Sequence, residues 1–60
     1  MRRENYRGLL VVVVESGLIP EVWAYQVWKS DDMIRYKAGY GDPQRAMKDG
    51  KAAVDDLLAA

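Results

Sequence analysis

Arg7–Glu15 reads RGLLVVVVE, and the run Leu9-Leu10-Val11-Val12-Val13-Val14 inside it decides the fold class. Branching at Cβ restricts χ1 in a helix and packs well on a pleat, so four consecutive valines favour a β-strand. A strand with one wet face alternates apolar with polar residues; this one does not. Leu9, Val11 and Val13 point to one side and Leu10, Val12 and Val14 to the other, so both faces call for cover.

Outward from that strand, the segment Ser16-Gly17-Leu18-Ile19-Pro20 supplies turn signals, with Leu18 and Ile19 unusually apolar for a loop. Residues 21 to 29, EVWAYQVWK, then form a second strand. Trp23, Tyr25 and Val27 share one face; Val22, Ala24, Gln26 and Trp28 share the other. Ser30-Asp31-Asp32 makes a polar turn, and residues 33 to 40 form a third strand. There Ile34, Tyr36, Ala38 and Tyr40 are expected on one face, opposite Met33, Arg35 and Lys37. Short connections predict consecutive antiparallel pairing. Asp42-Pro43 opens a helix, with Asp42 as N-cap and Pro43 at the first helical position. Met47, Gly50, Val54, Leu57 and Leu58 form its apolar stripe, beside Ala46 and Ala53. Lys51 and Asp55 stand at i,i+4 as an expected ion pair. Gly50 in mid-helix costs roughly 1 kcal/mol against Ala, which a close approach of helix to sheet would explain. The expected architecture is α+β, a three-stranded antiparallel meander followed by one C-terminal helix packed on one face. It forms a single domain over residues 1–60, with residues 1–6 as a flexible N-terminal arm.

Composition removes several functions. A 60-residue chain buries a smaller share of its surface than a larger domain, and such chains lean on disulfides, metals or partner chains. Cys and His are both missing, which excludes disulfides and thiolate zinc sites and removes the commonest general base. No catalytic residue, metal ligand or cofactor site is assigned, and the expectation is a protein that is not an enzyme. The carboxylate pairs Asp31-Asp32 and Asp55-Asp56 are adjacent residues, which point in different directions and read as solvated charge. Gly39-Tyr40-Gly41 precedes a helix but lacks the lysine and hydroxyl residue of a phosphate-binding loop. The apolar run Leu9 to Val14 is far too short for a bilayer, and with no targeting segment legible the expected location is cytoplasmic.

Nine Lys and Arg balance nine Asp and Glu, giving zero net charge. Nucleic-acid binders owe much of their affinity to phosphate contacts, so this balance disfavours that class. Arg35, Lys37, Arg45 and Lys48 are the residues that would contact RNA, with Tyr25 and Tyr36 as stacking platforms. Core packing is the better account of the aromatics. A helix covers one face of a sheet only, so the remaining apolar set predicts an interface, here Leu10, Val12, Val14, Trp23, Tyr25 and Trp28. A homodimer is the expected outcome, with a different protein partner as the rival.

The stretch GYGDPQRAMKDGKAAVDDLL, Gly39 to Leu58, resembles the strand-to-helix segment of HicB-like antitoxins. Gly41-Asp42, Ala46, Lys51, Ala53, Val54, Asp55 and Leu57 fit that family's arrangement, and Val22-Trp23-Ala24 fits its second strand. The resemblance implies toxin binding. Trp28 to Met33 lacks the acidic, proline- and glycine-containing segment usual there, and no DNA-binding domain follows, so repressor activity is not implied. The same stretch resembles the β-β-β-α part of a double-stranded RNA-binding domain. That family's basic run falls here on Gln44, Arg45, Met47 and Lys48, followed by Asp49, so shared shape is implied and binding is not. The expected function is a small non-enzymatic protein-interaction module, antitoxin-like, with a weak RNA-binding module as the alternative.

Overall fold

The computed structural model describes residues 1–17 and 21–59; the expected turn residues Leu18, Ile19 and Pro20 lie outside them. Four strands, β1 (Arg2–Tyr6), β2 (Leu9–Glu15), β3 (Trp23–Lys29) and β4 (Asp32–Tyr40), are followed by one helix, α1 (Pro43–Ala59). The strands form one antiparallel sheet in the order β1-β2-β3-β4, a meander. The fold is therefore α+β with a C-terminal helix, but with four strands where the sequence predicted three.

The additional strand is the segment expected as an N-terminal arm. Arg2–Tyr6 pairs with β2 over its whole length, from Arg2 opposite Val13 to Tyr6 opposite Leu9. Arg, Glu and Asn are poor strand formers, so RRENY carries no strand signal of its own. The free edge of the β2 ladder supplies the partner groups instead, and each backbone N–H and C=O that pairs there is satisfied. The one local sign is the two-residue turn Arg7-Gly8, where φ is 53° and 87°. Both central residues at positive φ make the hairpin turn whose twist matches antiparallel strands.

α1 packs on β2, β3 and β4 from one side. Leu9, Val11 and Val13 face it, as do Tyr25 and Val27, and they close a core with Ala46, Ala53 and Val54. Val11, Val13, Val27 and Val54 are fully buried. Met47 and Leu57 pack at the margin, with Tyr6, Trp23 and Tyr40. The helix starts as its cap predicts, the Gln44 backbone N–H donating to Asp42 Oδ1 at 2.7 Å. The small residues Ala46, Gly50 and Ala53 all lie buried along its inner face and let it sit close to the sheet.

Two interruptions of the β3–β4 register change which side chains meet. Val27 pairs with Arg35 and Trp28 with Met33, leaving Ile34 as an extra residue. Ala24 pairs with Ala38 and Trp23 with Tyr40, leaving Gly39 extra, at φ 102°. Each bulge reverses the alternation beyond it. Met33 therefore joins Tyr36 and Ala38 on the side away from the helix. Tyr40 crosses to the helix side, its ring centroid 5.9 Å from that of Tyr25. Both placements differ from the uninterrupted alternation read along the strand. Among the described residues, no helix is long and apolar enough to cross a membrane.

Candidate interaction surface

Cross-strand pairing lays the side chains away from the helix in three rows. Arg3, Val12, Gln26 and Tyr36 form the middle row. Asn5, Leu10, Trp28 and Met33 form the row toward the β1–β2 and β3–β4 turns. Val14, Ala24 and Ala38 form the third. No secondary-structure element covers this face among the described residues. Four of the six expected interface residues, Leu10, Val12, Val14 and Trp28, come together here. The other two, Trp23 and Tyr25, belong to the opposite face, under the helix. The expected interface left out Met33 and Tyr36; for Met33 the reason is the bulge at Ile34, which turns it to this side and carries no signal in the β4 sequence.

The face is less bare than strand alternation implies. Val12 is 7% exposed and Ala24 fully buried, while Leu10, Val14 and Trp28 are half-buried. Trp28 reaches back along β3, its indole Nε1 donating to Gln26 Oε1 at 2.9 Å. Residues 26 and 28 share a face at strand spacing, so this bond fixes the ring in place. Beside it runs an open groove of about 450 Å³, with Leu10, Val12, Gln26 and Trp28 lining it between Arg3 and Asp31. Neither Arg3 nor Asp31 has an ion-pair partner among the described residues. Toward β4 this face also carries Met33 and Tyr36, which are 47% and 51% exposed, with the bulge residue Ile34, 39% exposed, between them.

The charged residues on the helix side serve a different purpose. Lys51 pairs with Glu4 on β1, not with Asp55. Asp55 accepts from Arg7 at 2.8 Å and from the Tyr6 hydroxyl at 3.1 Å. The Arg7 guanidinium holds the Asp55 carboxyl below its ordinary range, and Tyr6 assists. The bond to Asp55 in turn raises the Tyr6 phenol. Helix geometry would allow Lys51 and Asp55 to pair, but edge strand β1 brings each a partner from the sheet. These contacts tie β1 and its turn to the helix, where the sequence predicted Asp55 as exposed charge within reach of Lys51.

Of the four residues expected to contact RNA, Arg35 and Lys37 lie on the β4 edge and Arg45 and Lys48 on α1. Lys37 Nζ sits 5.9 Å from the Tyr40 ring centroid. Tyr25 is 5% exposed and part of the core, so it offers no stacking platform; Tyr36 lies on the other side of the sheet. Among the described residues, no group of three or more acidic side chains is placed to hold a metal ion. In comparisons with protein-family models, curated proteins and solved structures, the chain matches none.

Proposed function

We propose that this protein is a non-enzymatic interaction module that works in the cytoplasm by covering its open sheet face with another protein surface. One observation carries the reading. The face opposite the helix carries the half-buried Leu10, Val14 and Trp28 and, on the adjoining strand β4, the exposed Met33 and Tyr36. Exposed apolar side chains grouped on one face mark interfaces more often than scattered ones do. The antitoxin-like resemblance of Gly39 to Leu58 fits the same role, with a small toxin as the covering protein. Leu9–Val14, the longest apolar run, is a central strand of the sheet, which supports a soluble setting.

Co-expression with the product of the neighbouring reading frame tests the reading. A complex that survives about 1 M salt and is lost in Trp28→Ala supports it, since apolar contacts are little screened. Failure to form any complex, homotypic or heterotypic, overturns it.

The second reading is RNA binding through Arg35, Lys37, Arg45 and Lys48, none of which has an ion-pair partner among the described residues. It predicts affinity that falls steeply as salt rises.

A further inference from the structure

We infer that the surface covering the open face is a second copy of the same chain, in a two-fold dimer that lays β2 of one protomer over β3 of its partner. The inference rests on the interaction-module reading and specifies its partner.

Three observations lead to it. Both sheet edges are poorly suited to pairing with another chain. β1 is only five residues long and reads Arg2-Arg3-Glu4-Asn5-Tyr6, while β4 carries bulges at Ile34 and Gly39. Short, charged and bulged edges resist strand addition, so association through the face is favoured over association through an edge.

The rows of the face are also self-complementary. A two-fold axis running parallel to the strands, between β2 and β3, sets each row against itself in reverse order. Leu10 then meets Trp28 of the second copy, and the small exposed part of Val12 meets the aliphatic part of Gln26, while Ala24 is already buried within its own chain. Each pair sets a larger side chain against a smaller or slimmer one, as interdigitating sheets about 10 Å apart require. At the margins, Arg3 of one copy faces Tyr36 of the other, the next position in the same row.

Charge supplies the third argument. Arg3 and Asp31 lie on opposite sides of the groove that contains Trp28, and neither is paired within the chain among the described residues. Reversal of the rows brings Arg3 of one protomer to the β3–β4 side of the other, where Asp31 stands in the turn. The symmetry makes this contact twice, setting Arg3 against the Tyr36 ring with the Asp31 carboxylate further along the same side, where opposite charges attract at longer range. Four strands about seven residues long present roughly 450 Å² of projected face, so the pair covers about 900 Å². That falls below the roughly 1,200 Å² of a standard-size interface and is the size of a weak, transient association.

Light scattering and sedimentation of the purified chain between about 5 and 500 μM test the proposal. Expected is a concentration-dependent shift from 6.8 kDa toward twice that mass. Arg3→Asp and Asp31→Arg, both on exposed residues, each weaken the dimer on the order of tenfold, and the double reversal restores it. In a mixture of isotope-labelled and unlabelled protein, intermolecular NOEs connect the Trp28 ring to Leu10 methyls. A monomer at 500 μM overturns the dimer; if the neighbouring-gene complex still forms, the interaction-module reading stands. A dimer indifferent to both charge reversals, or lacking the Trp28–Leu10 NOEs, overturns this geometry.

Discussion

Gly50 lies so close to Val11 that a Cβ at residue 50 would come within 2.6 Å of Val11 Cγ1 and 3.3 Å of Tyr25 Cβ. The helix crosses the sheet here with no room for a methyl group, and the nearest neighbour is a fully buried, branched side chain. This is why a residue that disfavours helix stands in the middle of one.

Gly50→Ala sets two effects against each other. Helix propensity improves by roughly 1 kcal/mol, while overpacking a tight contact costs about 1–3 kcal/mol. Val11 cannot rotate away freely because it is buried against both neighbouring strands and the helix. Net destabilisation is expected, seen as a lower urea midpoint with an unchanged slope. Adding Val11→Ala to Gly50→Ala should recover part of the loss, so the double variant is more stable than the sum of the single changes. Strict additivity would show that the two residues do not compete for the same space.

Asp42→Ala removes the acceptor that holds the Gln44 N–H at 2.7 Å. Loss of this cap should lower stability by about 1 kcal/mol, read from chemical denaturation. Asp42→Asn, which retains a side-chain acceptor, should recover most of it.

Tyr40 predicts an alkaline instability. Its hydroxyl oxygen is buried without a hydrogen-bond partner. Burial pushes its pKa up to about 12, and the Asp49 carboxylate, close by but outside hydrogen-bond geometry, pushes the same way. The folded state thus holds the phenol proton more tightly than the unfolded chain, whose tyrosine titrates near 10. Stability from this group is complete below pH 10 and lost as pH rises from 10 toward 12. Tyr40→Phe should be neutral or mildly stabilising at pH 7, since it removes an unpartnered polar atom. It should also flatten the decline above pH 10. The measurement is the difference between the two proteins' denaturation midpoints across pH 7–11.5, which cancels the other tyrosines and lysines.

Double-stranded RNA provides the check on charge. Net charge is zero, and the basic residues are flanked by carboxylates in the sequence, Arg35 and Lys37 by Asp32 and Asp42, and Arg45 and Lys48 by Asp42 and Asp49. Titration at near-physiological salt should show no saturable binding tighter than about 10 μM, because few counterions are released. Submicromolar, salt-sensitive binding abolished by Arg45→Glu would reverse the order of the two functional readings.

Much of this fold is legible along the chain because its signals are local. Four successive valines make a strand wherever they stand, Asp42-Pro43 starts a helix by satisfying its first donors, and Gly50 announces a close approach. Leu10, Val12, Val14 and Trp28 reveal a second apolar face by alternation alone. Tertiary structure decided the rest. RRENY becomes a strand only because the free edge of β2 offers it hydrogen-bond partners, and it stays there with Tyr6, Glu4 and Arg7 tied to the helix. Trp23 and Tyr25 lie under the helix and not on the open face, because α1 docks on the side that carries Leu9, Val11 and Val13, where Ala46, Gly50 and Ala53 let it come close. The bulges at Ile34 and Gly39 send Met33 and Tyr40 to opposite faces, although β4 read alone assigns them the reverse sides. Alternation is a property of a single strand, but which side is buried, and where the count slips, depends on the neighbours it pairs with.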